Sequence, residues 1–291
     1  MLFKGGAGVM ASAATFTMGE NNEFTVTPAV IEAFNEYGYI IVRSLLNRPE
    51  VVKLQASLES DSELLKHSYG RDDGNGRISR MALWNHPGKD ISGMIARSDK
   101  VAGTMEKLLG GEVYHYHTKL MMKEARTGGQ FVWHQDYGYW YNNGCLFPDM
   151  GTVFIAIDKT DVANGCLKIL ERSHKAGRIA HIPVAGQVGA DLERVGMIQK
   201  ILPLVDVELE AGDALFFHCN LLHKSEQNNS DRRRWAFLIA YNRASNDPVI
   251  PHHHPQYTPL ARVPNSEILN CQTDDVSGKD FMDPATEHRM K

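Results

Sequence analysis

The N-terminal third of the chain has the spacing of hydrophobic residues that predicts helices. Thr27-Pro28 has the form of an N-cap followed by proline in the first helical turn, and apolar side chains then recur every three or four residues as far as Tyr37. Gly38 ends this run, and the β-branched stretch 39–42 after it predicts a strand. The ordered domain is therefore expected to begin at Thr27.

Three further segments complete this helical part. A turn containing Pro49 leads into a second helix that ends near residue 66, and another helix covers roughly 92–109. The segment 67–90 between them is polar and rich in glycine, which predicts a loop.

From residue 113 onward the pattern changes to short β-type runs separated by turns. These runs cover 113–123, 151–157, 166–170, 204–209, 213–218 and 234–241. Short strands at such spacing predict a barrel or a sandwich. The connection 177–203 is longer than a structural loop usually is, which predicts either a lid or a partly helical insert.

Composition and charge favour a protein that acts on small molecules. The chain has 291 residues, of which 43% are hydrophobic, and a formal net charge of -4. Lysine and arginine are scattered apart from the run 232–234, so no nucleic-acid or membrane-surface footprint is evident. Residues 1–26 are expected to be a flexible N-terminal extension, and residues 27–291 a single domain. The sequence leaves the oligomeric state open.

Cysteine usage and hydrophobic run length bear on location. The four cysteines are widely spaced and form no CxxC pair, which indicates reduced thiols in the cytoplasm. No apolar run approaches the roughly 20 residues that a membrane-spanning helix needs. We therefore expect a cytoplasmic protein without a membrane partner.

His134 and Asp136 are candidate metal ligands. They follow a strand signal, and residues two apart on a strand point to the same side, so both side chains are expected to face one interior point. An HxD triplet also arises by chance and is more often surface polarity than chemistry. A metal site therefore requires a third ligand.

The segment 212–225 supplies that ligand. The turn Gly212-Asp213 feeds a hydrophobic strand that is expected to carry His218 and His223. Two imidazoles and one carboxylate that leave coordination positions open are the ligand set of non-haem Fe(II) oxygenases. A 2-oxo acid and O2 would take the open positions.

Arg234 points to the co-substrate. It lies eleven residues beyond His223, at the mouth of the strand predicted for 234–241. An arginine directed into a barrel is costly unless it meets an anion, and the distal carboxylate of 2-oxoglutarate is a bidentate partner for it. Arg232 and Arg233 are expected to face solvent.

Together these residues resemble the phytanoyl-CoA dioxygenase family of Fe(II)- and 2-oxoglutarate-dependent oxygenases. The resemblance also includes the segment 164–167, with the sequence NGCL, the pair Ser173-His174 and the run 223–230, and it spans roughly residues 27–245. It implies a mainly β fold with flanking α-helices, a double-stranded β-helix or cupin-like jelly roll. Where the family has Pro-Gly before Ser-His, this chain has Glu171-Arg172.

The same resemblance implies roles for further residues. Ser225, Trp140, His117 and Thr118 fall where family members contact 2-oxoglutarate or line the pocket. Halogenating relatives lack the carboxylate ligand, so the presence of Asp136 indicates hydroxylation. His218 breaks the family spacing to the arginine and is expected to be a core or partner residue.

The aromatic run beside the metal motif suggests the substrate. Tyr137, Tyr139 and Tyr141 would form a cage that attracts an ammonium group. The expected substrate is a small amine-bearing zwitterion, such as 2-aminoethylphosphonate or a proline- or ectoine-like amino acid, hydroxylated with release of succinate and CO2. Ascorbate would aid activity in vitro.

Several groups are candidates for the anionic end of such a substrate. They are Arg172, Arg178, His181 and the histidines 252–254. The histidine triplet is not expected to bind a metal, because adjacent residues rarely converge on one ion. Two alternatives remain open: an acyl-CoA hydroxylase of the same family, and a non-catalytic jelly-roll module that binds metal.

Overall fold

The computed structural model describes residues 13–283, and most of the elements in that range are strands. The strands are β1 (Thr15–Thr17), β2 (Tyr39–Arg43), β3 (Tyr69–Asp72), β4 (Ile78–Trp84), β5 (Val113–Lys123), β6 (Phe131–His134), β7 (Met150–Ala156), β8 (Leu167–Leu170), β9 (His181–Val184), β10 (Gln187–Ala190), β11 (Leu204–Val207), β12 (Ala214–His218), β13 (His223–Ser225) and β14 (Arg234–Arg243).

The helices lie mainly in the N-terminal part of the chain. They are α1 (Pro28–Tyr37), α2 (Arg48–Ser60), α3 (Ser62–Lys66), α4 (Ile91–Arg97), α5 (Thr104–Leu109), α6 (Asp136–Trp140), α7 (Leu192–Gln199) and α8 (Glu267–Asn270). A π-helical turn, Asp99–Gly103, lies between α4 and α5 and completes the helix predicted for 92–109. No helix in the range 13–283 has the length and apolar character that crossing a bilayer demands.

The strands form two main sheets and a separate hairpin. The larger sheet has the order β1-β2-β12-β7-β14-β5-β4-β3, the smaller has the order β11-β8-β13-β6, and β9 pairs with β10. The two sheets make a double-stranded β-helix with helices on the outer side of the larger sheet, which confirms the fold class implied by the resemblance.

Alternation along the strands of the larger sheet divides the core into two layers. Val153 and Phe237 face outward and pack with Phe34 of α1 in the cluster under the helices. Phe154 faces the other way and packs with Ile169 of the smaller sheet. Because a strand turns successive side chains to opposite faces, nearly continuous apolar strands serve both layers.

The prediction of a loop over 67–90 is wrong. β3 and β4 form an antiparallel pair in this segment, with Asp72 opposite Ile78. β3 is the last strand of the larger sheet, and its side chains alternate between partly buried and exposed. An edge strand with one wet face has a polar sequence, which hid it from a search for hydrophobic runs.

In two other segments the structure shows secondary structure that the sequence left unspecified. The connection 177–203 contains the hairpin β9-β10 and helix α7, which confirms a partly helical insert. β1 pairs in parallel with β2 through Thr15 opposite Ile41, so this part of the expected flexible extension belongs to the sheet. Residues 1–12, the first part of the expected extension, lie outside the described residues.

Candidate functional site

His134, Asp136 and His223 converge at one end of the smaller sheet. His223 of β13 lies directly opposite His134 of β6, and their ring centroids are 4.0 Å apart. The His223 Nε2 atom is 3.9 Å from Oδ1 of Asp136, and the three ligand atoms all lie within 4.8 Å of one another. The prediction that two distant stretches of sequence meet at one point is therefore correct in geometry.

The local structure that brings them together differs from the prediction. β6 ends at His134, and Asp136 is the first residue of helix α6 rather than part of the strand. The carboxylate reaches the histidines from a helix start, after one extended residue, Gln135. His218 and His223 also lie on separate strands, β12 and β13, rather than on one.

Hydrogen bonds fix the orientation of all three side chains. Nδ1 of His134 lies 2.8 Å from the carbonyl oxygen of Val132, and Nδ1 of His223 lies 2.9 Å from that of Leu221. A carbonyl only accepts, so each Nδ1 carries the proton and each Nε2 keeps its lone pair. The Thr152 hydroxyl donates to Oδ2 of Asp136 at 2.8 Å, and Oδ1 is the oxygen nearer to His223.

The protonation states also suit a metal. Burial lowers the pKa of both His134 and His223, so these imidazoles are neutral near pH 7 and able to act as ligands. Two neutral imidazoles and one carboxylate on one face are the donor set that suits non-haem Fe(II). The residues present therefore fit an iron ion.

Gln135 joins the metal motif to neighbouring loops. Its Nε2 group donates to the carbonyl oxygens of Gly177 and Asn220 at 2.8 and 2.7 Å, and its Oε1 accepts from the Ile179 amide at 2.7 Å. These bonds connect the segment before β13 and the insert that contains β9 to the residue between two metal ligands. The sequence analysis gave this glutamine no role.

Arg234 is a buried cation, and none of the carboxylates in residues 13–283 is in direct contact with it. Its side chain is 3% exposed, and its Nε has no hydrogen-bond partner within residues 13–283. The guanidinium carbon is 5.8 Å from the centre of the Phe154 ring. Burial lowers the pKa of Arg234 to about 10, so the group remains charged at neutral pH. A bound carboxylate would satisfy a buried guanidinium whose Nε has no partner.

Lys123 is a second buried cation at the same place, and the sequence analysis missed it. It lies directly opposite Arg234 across β5 and β14, and its Nζ donates to Ser225 Oγ at 3.0 Å and to the Glu226 carbonyl. Burial and then the charge of Arg234 lower the pKa of Lys123 well below its usual range. The inward position of Lys123 could have been predicted from the sequence, because side chains alternate along β5 and every second residue points inward.

His117 faces the interior and Thr118 does not. His117 pairs across the sheet with Ala240, and its buried Nδ1 has no hydrogen-bond partner within the described part of the chain. Thr118 is the next residue of the same strand, so it points to the helix-covered face, where its hydroxyl lies 2.7 Å from Nε2 of His115. Adjacent strand residues do not reach the same pocket, and the structure does not bring Thr118 to the metal ligands.

Lys119 lies on the same face of β5 as His117 and Lys123, because it is two and four residues from them. It is partly exposed, and its charge contributes, after burial, to the low pKa values of His134 and His223. The ammonium group is therefore an electrostatic neighbour of the metal ligands that the sequence analysis also missed.

Comparison with known proteins agrees with this arrangement. The model of the phytanoyl-CoA dioxygenase (PhyH) family matches residues 34–236. That match covers more than half of the chain and includes all three candidate metal ligands and Arg234. The chain belongs to the phytanoyl-CoA dioxygenase family. The predicted class, a non-haem Fe(II)- and 2-oxoglutarate-dependent dioxygenase, is thereby confirmed.

The chain is similar to individual members of this family. L-Proline trans-4-hydroxylase from Streptomyces griseoviridis is 29% identical over 246 residues, which cover 78% of this chain and 91% of that enzyme. Ectoine dioxygenase from Halomonas elongata is 28% identical over 264 residues, covering 80% and 75%. The crystal structure of EctD from S. alaskensis with 2-oxoglutarate and 5-hydroxyectoine has a TM-score of 0.69 at 21% identity, covering 84% and 90%. The last likeness supports the fold.

Within this member of the phytanoyl-CoA dioxygenase family, the aromatic run divides between two sides of α6. The Tyr139 ring lies 5.9 Å from that of His134, and its hydroxyl donates to the Val188 carbonyl at 2.6 Å. Tyr137 is buried in a cluster with Trp140, whereas Tyr141 is exposed beneath the Arg178 guanidinium at 4.1 Å. Tyr139 is the tyrosine of the three that the structure brings to a metal ligand.

Two other predicted site residues take different places. Trp140 packs edge-on against His117, with ring centroids 5.6 Å apart, and so backs the interior face of β5. Arg172 pairs with Glu36 at 2.9 Å and lies over the Tyr37 ring, which engages it with α1. Its φ of 68° is in the left-handed region that favours glycine, the residue that the family has at this position.

Proposed function

We propose that this protein hydroxylates a C–H bond of a small amine-bearing zwitterion, using Fe(II), 2-oxoglutarate and O2 and releasing succinate and CO2. The observation that carries the co-substrate assignment is the buried Arg234 guanidinium, with its unpartnered Nε, beside the buried Lys123 ammonium. A module that only bound metal would have no use for two desolvated cations in its interior.

Three residues would hold the iron through identifiable atoms. They are His134 and His223 through Nε2 and Asp136 through Oδ1, because hydrogen bonds already engage Nδ1 of each histidine and Oδ2 of the aspartate. Bound iron would supply the redox chemistry that couples O2 and 2-oxoglutarate to hydroxylation of the substrate. The protein contributes the orientation of its ligands, and Thr152 keeps the carboxylate from rotating.

Arg234, Lys123 and Ser225 would bind the distal carboxylate of 2-oxoglutarate. Ser225 already accepts a hydrogen bond from Lys123, so its own hydroxyl proton is available to a carboxylate oxygen. Because this group of residues is buried, the ion pair would form in a low-dielectric environment that excludes water. Binding would also relieve the mutual repulsion of the two cations.

The substrate assignment rests on Lys119 and Tyr139. Lys119 provides a positive charge for a substrate carboxylate on the interior face, and the Tyr139 ring provides a π surface beside His134 for an ammonium group. Two relatives are named for proline and for ectoine, small molecules that carry both charges, and they support this class.

Succinate release from the purified full-length chain tests the reaction. With Fe(II), ascorbate, O2 and 2-oxoglutarate, we expect release above the uncoupled background with L-proline, ectoine or 2-aminoethylphosphonate, and a product heavier by one oxygen atom. Stimulation by an acyl-CoA alone would replace the zwitterion proposal with the acyl-CoA alternative. Folded protein that neither binds 2-oxoglutarate nor decarboxylates it would support the non-catalytic module.

Replacing Lys119 tests the substrate charge. Lys119→Met removes the ammonium but keeps the length of the side chain, so we expect the KM for a carboxylate-bearing substrate to rise about 10- to 100-fold, as loss of one charge-assisted contact would do. The KM for 2-oxoglutarate should not change. Lys119→Arg should restore part of the affinity, and Lys66→Met, at an exposed lysine on α3, is the control.

If Lys119→Met changed the KM for 2-oxoglutarate instead, the lysine would belong to the co-substrate site.

We also propose that residues 27–291, together with strand β1, act as one catalytic domain in the cytoplasm. All four cysteines are buried free thiols, which supports a reducing compartment.

A further inference from the structure

His252, His253 and His254 form a compact cluster in the connection that follows β14. The ring centroids are 3.8 Å apart for the first pair, 4.1 Å for the second and 5.5 Å for the outer pair. One ligand nitrogen from each ring lies within 4.8 Å of the others. Adjacent residues were not expected to converge, but Pro251 and Pro255 flank the triplet and its backbone is irregular, so it has neither the alternation of a strand nor the rotation of a helix.

Asn85 sets the tautomer of His254. The Asn85 Nδ2 group donates to the carbonyl of His253 and to a carboxylate oxygen of Asp280, both at 2.8 Å, so its Oδ1 atom is the acceptor. Nδ1 of His254 lies 3.0 Å from that oxygen and must carry the proton. Nε2 of His254 therefore presents a lone pair, and burial lowers the pKa of this histidine well below its usual range.

The spacing of the ring nitrogens matches that of two ligands on one metal ion. Nε2 of His253 and Nε2 of His254 are 3.1 Å apart. Two nitrogens bound at about 2.0–2.1 Å are separated by about 2.9–3.4 Å when the angle at the metal lies between the octahedral and tetrahedral values. The cluster therefore has ligand spacing without movement of these two rings, and a metal ion would displace the proton that Nε2 of His253 donates to Nε2 of His254.

The surroundings leave room for a metal ion and its remaining ligands. A cavity of about 330 Å³ is lined by the triplet together with Asn85, Gln256 and Asp280. On the other side, the His254 ring stacks on His117 with centroids 4.7 Å apart and an interplanar angle of 28°. The cluster is thus separate from His134, Asp136 and His223 in its ligands, but it touches the interior face of β5.

We propose that His252, His253 and His254 form a second metal site, which binds a divalent transition ion that prefers imidazole, with Zn(II) as the representative. This site goes beyond the proposed oxygenase function and does not depend on it. Imidazole nitrogen is a preferred ligand of Zn(II), and water in the cavity would complete the coordination. The bound ion would fix the connection after β14 to the end of β4, because Asn85 already joins the two.

Metal stoichiometry of the untagged full-length chain tests this site. After equilibration with excess Zn(II) and removal of free metal, elemental analysis should find two equivalents in the wild-type protein, one at each site. His252→Ala/His253→Ala should retain one equivalent, as should His134→Ala/His223→Ala, and the variant that combines all four changes should retain none. His67→Ala, at a histidine on the surface after α3, is the control and should retain two.

A spectroscopic measurement keeps the test independent of how the alanine variant of the triplet folds, because it uses glutamine replacements at His252 and His253. Cu(II) added to His134→Ala/His223→Ala should give an electron paramagnetic resonance spectrum with coupling to several nitrogens, and His252→Gln/His253→Gln in that background should abolish this coupling. Loss of all Zn(II) from His134→Ala/His223→Ala, or triplet variants that still bind as much Zn(II) as the wild type, would overturn the proposal.

Discussion

At the level of single residues, the buried basic side chains are the most informative about function. Arg234 and Lys123 lie opposite each other, and burial lowers the pKa of both groups. Keeping two buried basic groups protonated side by side costs free energy when no anion is bound, because each loses its hydration and repels the other. Such an arrangement is retained in a protein when a ligand completes it, which is why we assign the proposed co-substrate site to these residues.

Arg234→Met separates binding from stability. We expect the affinity for 2-oxoglutarate to fall about 100-fold, since a charged bidentate contact of roughly 3 kcal/mol is lost. The free energy of unfolding of the ligand-free protein should stay the same or rise, because a buried charge is replaced by an apolar chain of similar length. Titration calorimetry and urea unfolding measure the two quantities.

Arg233→Met is the matched control for that experiment. Arg233 is the preceding residue, but it lies over the Trp235 ring and pairs with Glu59 and Asp158 at the surface. Its replacement should leave 2-oxoglutarate affinity unchanged. An Arg234→Met protein that binds 2-oxoglutarate normally would remove the guanidinium from the site.

Thr152 should influence iron binding without contacting iron. Thr152→Val deletes the hydroxyl that donates to Oδ2 of Asp136, so the carboxylate loses its fixed orientation, and we expect Fe(II) affinity to fall about 10- to 100-fold. Thr152→Ser should restore most of it. Thr160→Val, which removes a buried hydroxyl bonded to the Val207 carbonyl, serves as the control in an anaerobic Fe(II) titration. Equal affinity in Thr152→Val and wild type would show that the bond has no role.

At the level of elements, a buried ion pair joins helix α2 to the π-helical turn. Glu50 completes the capping box at the start of α2, and Lys100 of the π-helical turn donates to the same carboxylate at 2.6 Å. The Asn22 side chain accepts a second bond from Lys100 at 2.9 Å. Both charged side chains are fully buried, so the helix cap and the π-helical turn depend on one another.

Breaking this pair should destabilise the protein more than breaking an exposed one. Lys100→Met leaves the Glu50 carboxylate buried and unpaired, and we expect a loss of about 3–5 kcal/mol in the free energy of unfolding. The double variant Glu50→Gln/Lys100→Met should recover part of this loss, because no charge remains buried.

The control for that measurement is an exposed ion pair with the same distance between its nitrogen and oxygen atoms. Lys159 and Glu210 also lie 2.6 Å apart but are half exposed or more, so Lys159→Met should cost less than about 1 kcal/mol. Chemical unfolding of the four proteins gives the comparison. Similar losses for Lys100→Met and Lys159→Met would show that water reaches the buried pair.

At the level of the whole molecule, the candidate metal ligands and the buried basic residues come from the two sheets that enclose the interior. His134 and His223 belong to the smaller sheet, whereas Arg234 and Lys123 belong to the larger one. A ligand that bridges both groups would bind the folded chain and not the unfolded one, so binding and folding are linked.

A metal ion and 2-oxoglutarate, bound at the same time, should therefore raise the thermal stability of the protein. With Mn(II) in place of Fe(II) and 2-oxoglutarate at about 100 times its dissociation constant, we expect a stabilisation of about 2.7 kcal/mol and an increase in Tm of several degrees, measured by scanning calorimetry. A chelator should reverse the increase. Asp136→Ala should show a smaller shift or none, and an equal shift in that variant would mean that Mn(II) binds elsewhere.

Local patterns in the sequence determined much of this protein. The helix that starts at Pro28 and the strands 113–123 and 234–241 were predicted correctly, because each depends on periodicity along the chain. The three candidate metal ligands converge, as their spacing predicted. The edge strand β3 escaped prediction because a strand with one wet face has no hydrophobic run.

Tertiary structure decided what spacing does not encode. It placed Asp136 on a helix start, turned Thr118 away from His117, set Lys123 against Arg234, and folded three consecutive histidines onto one another. Each of these depends on which strand lies beside which and on where a side chain points. Cross-strand register and loop conformation arise from packing between segments that are distant in sequence. The pattern along the chain therefore identifies these residues but does not determine which of them come into contact.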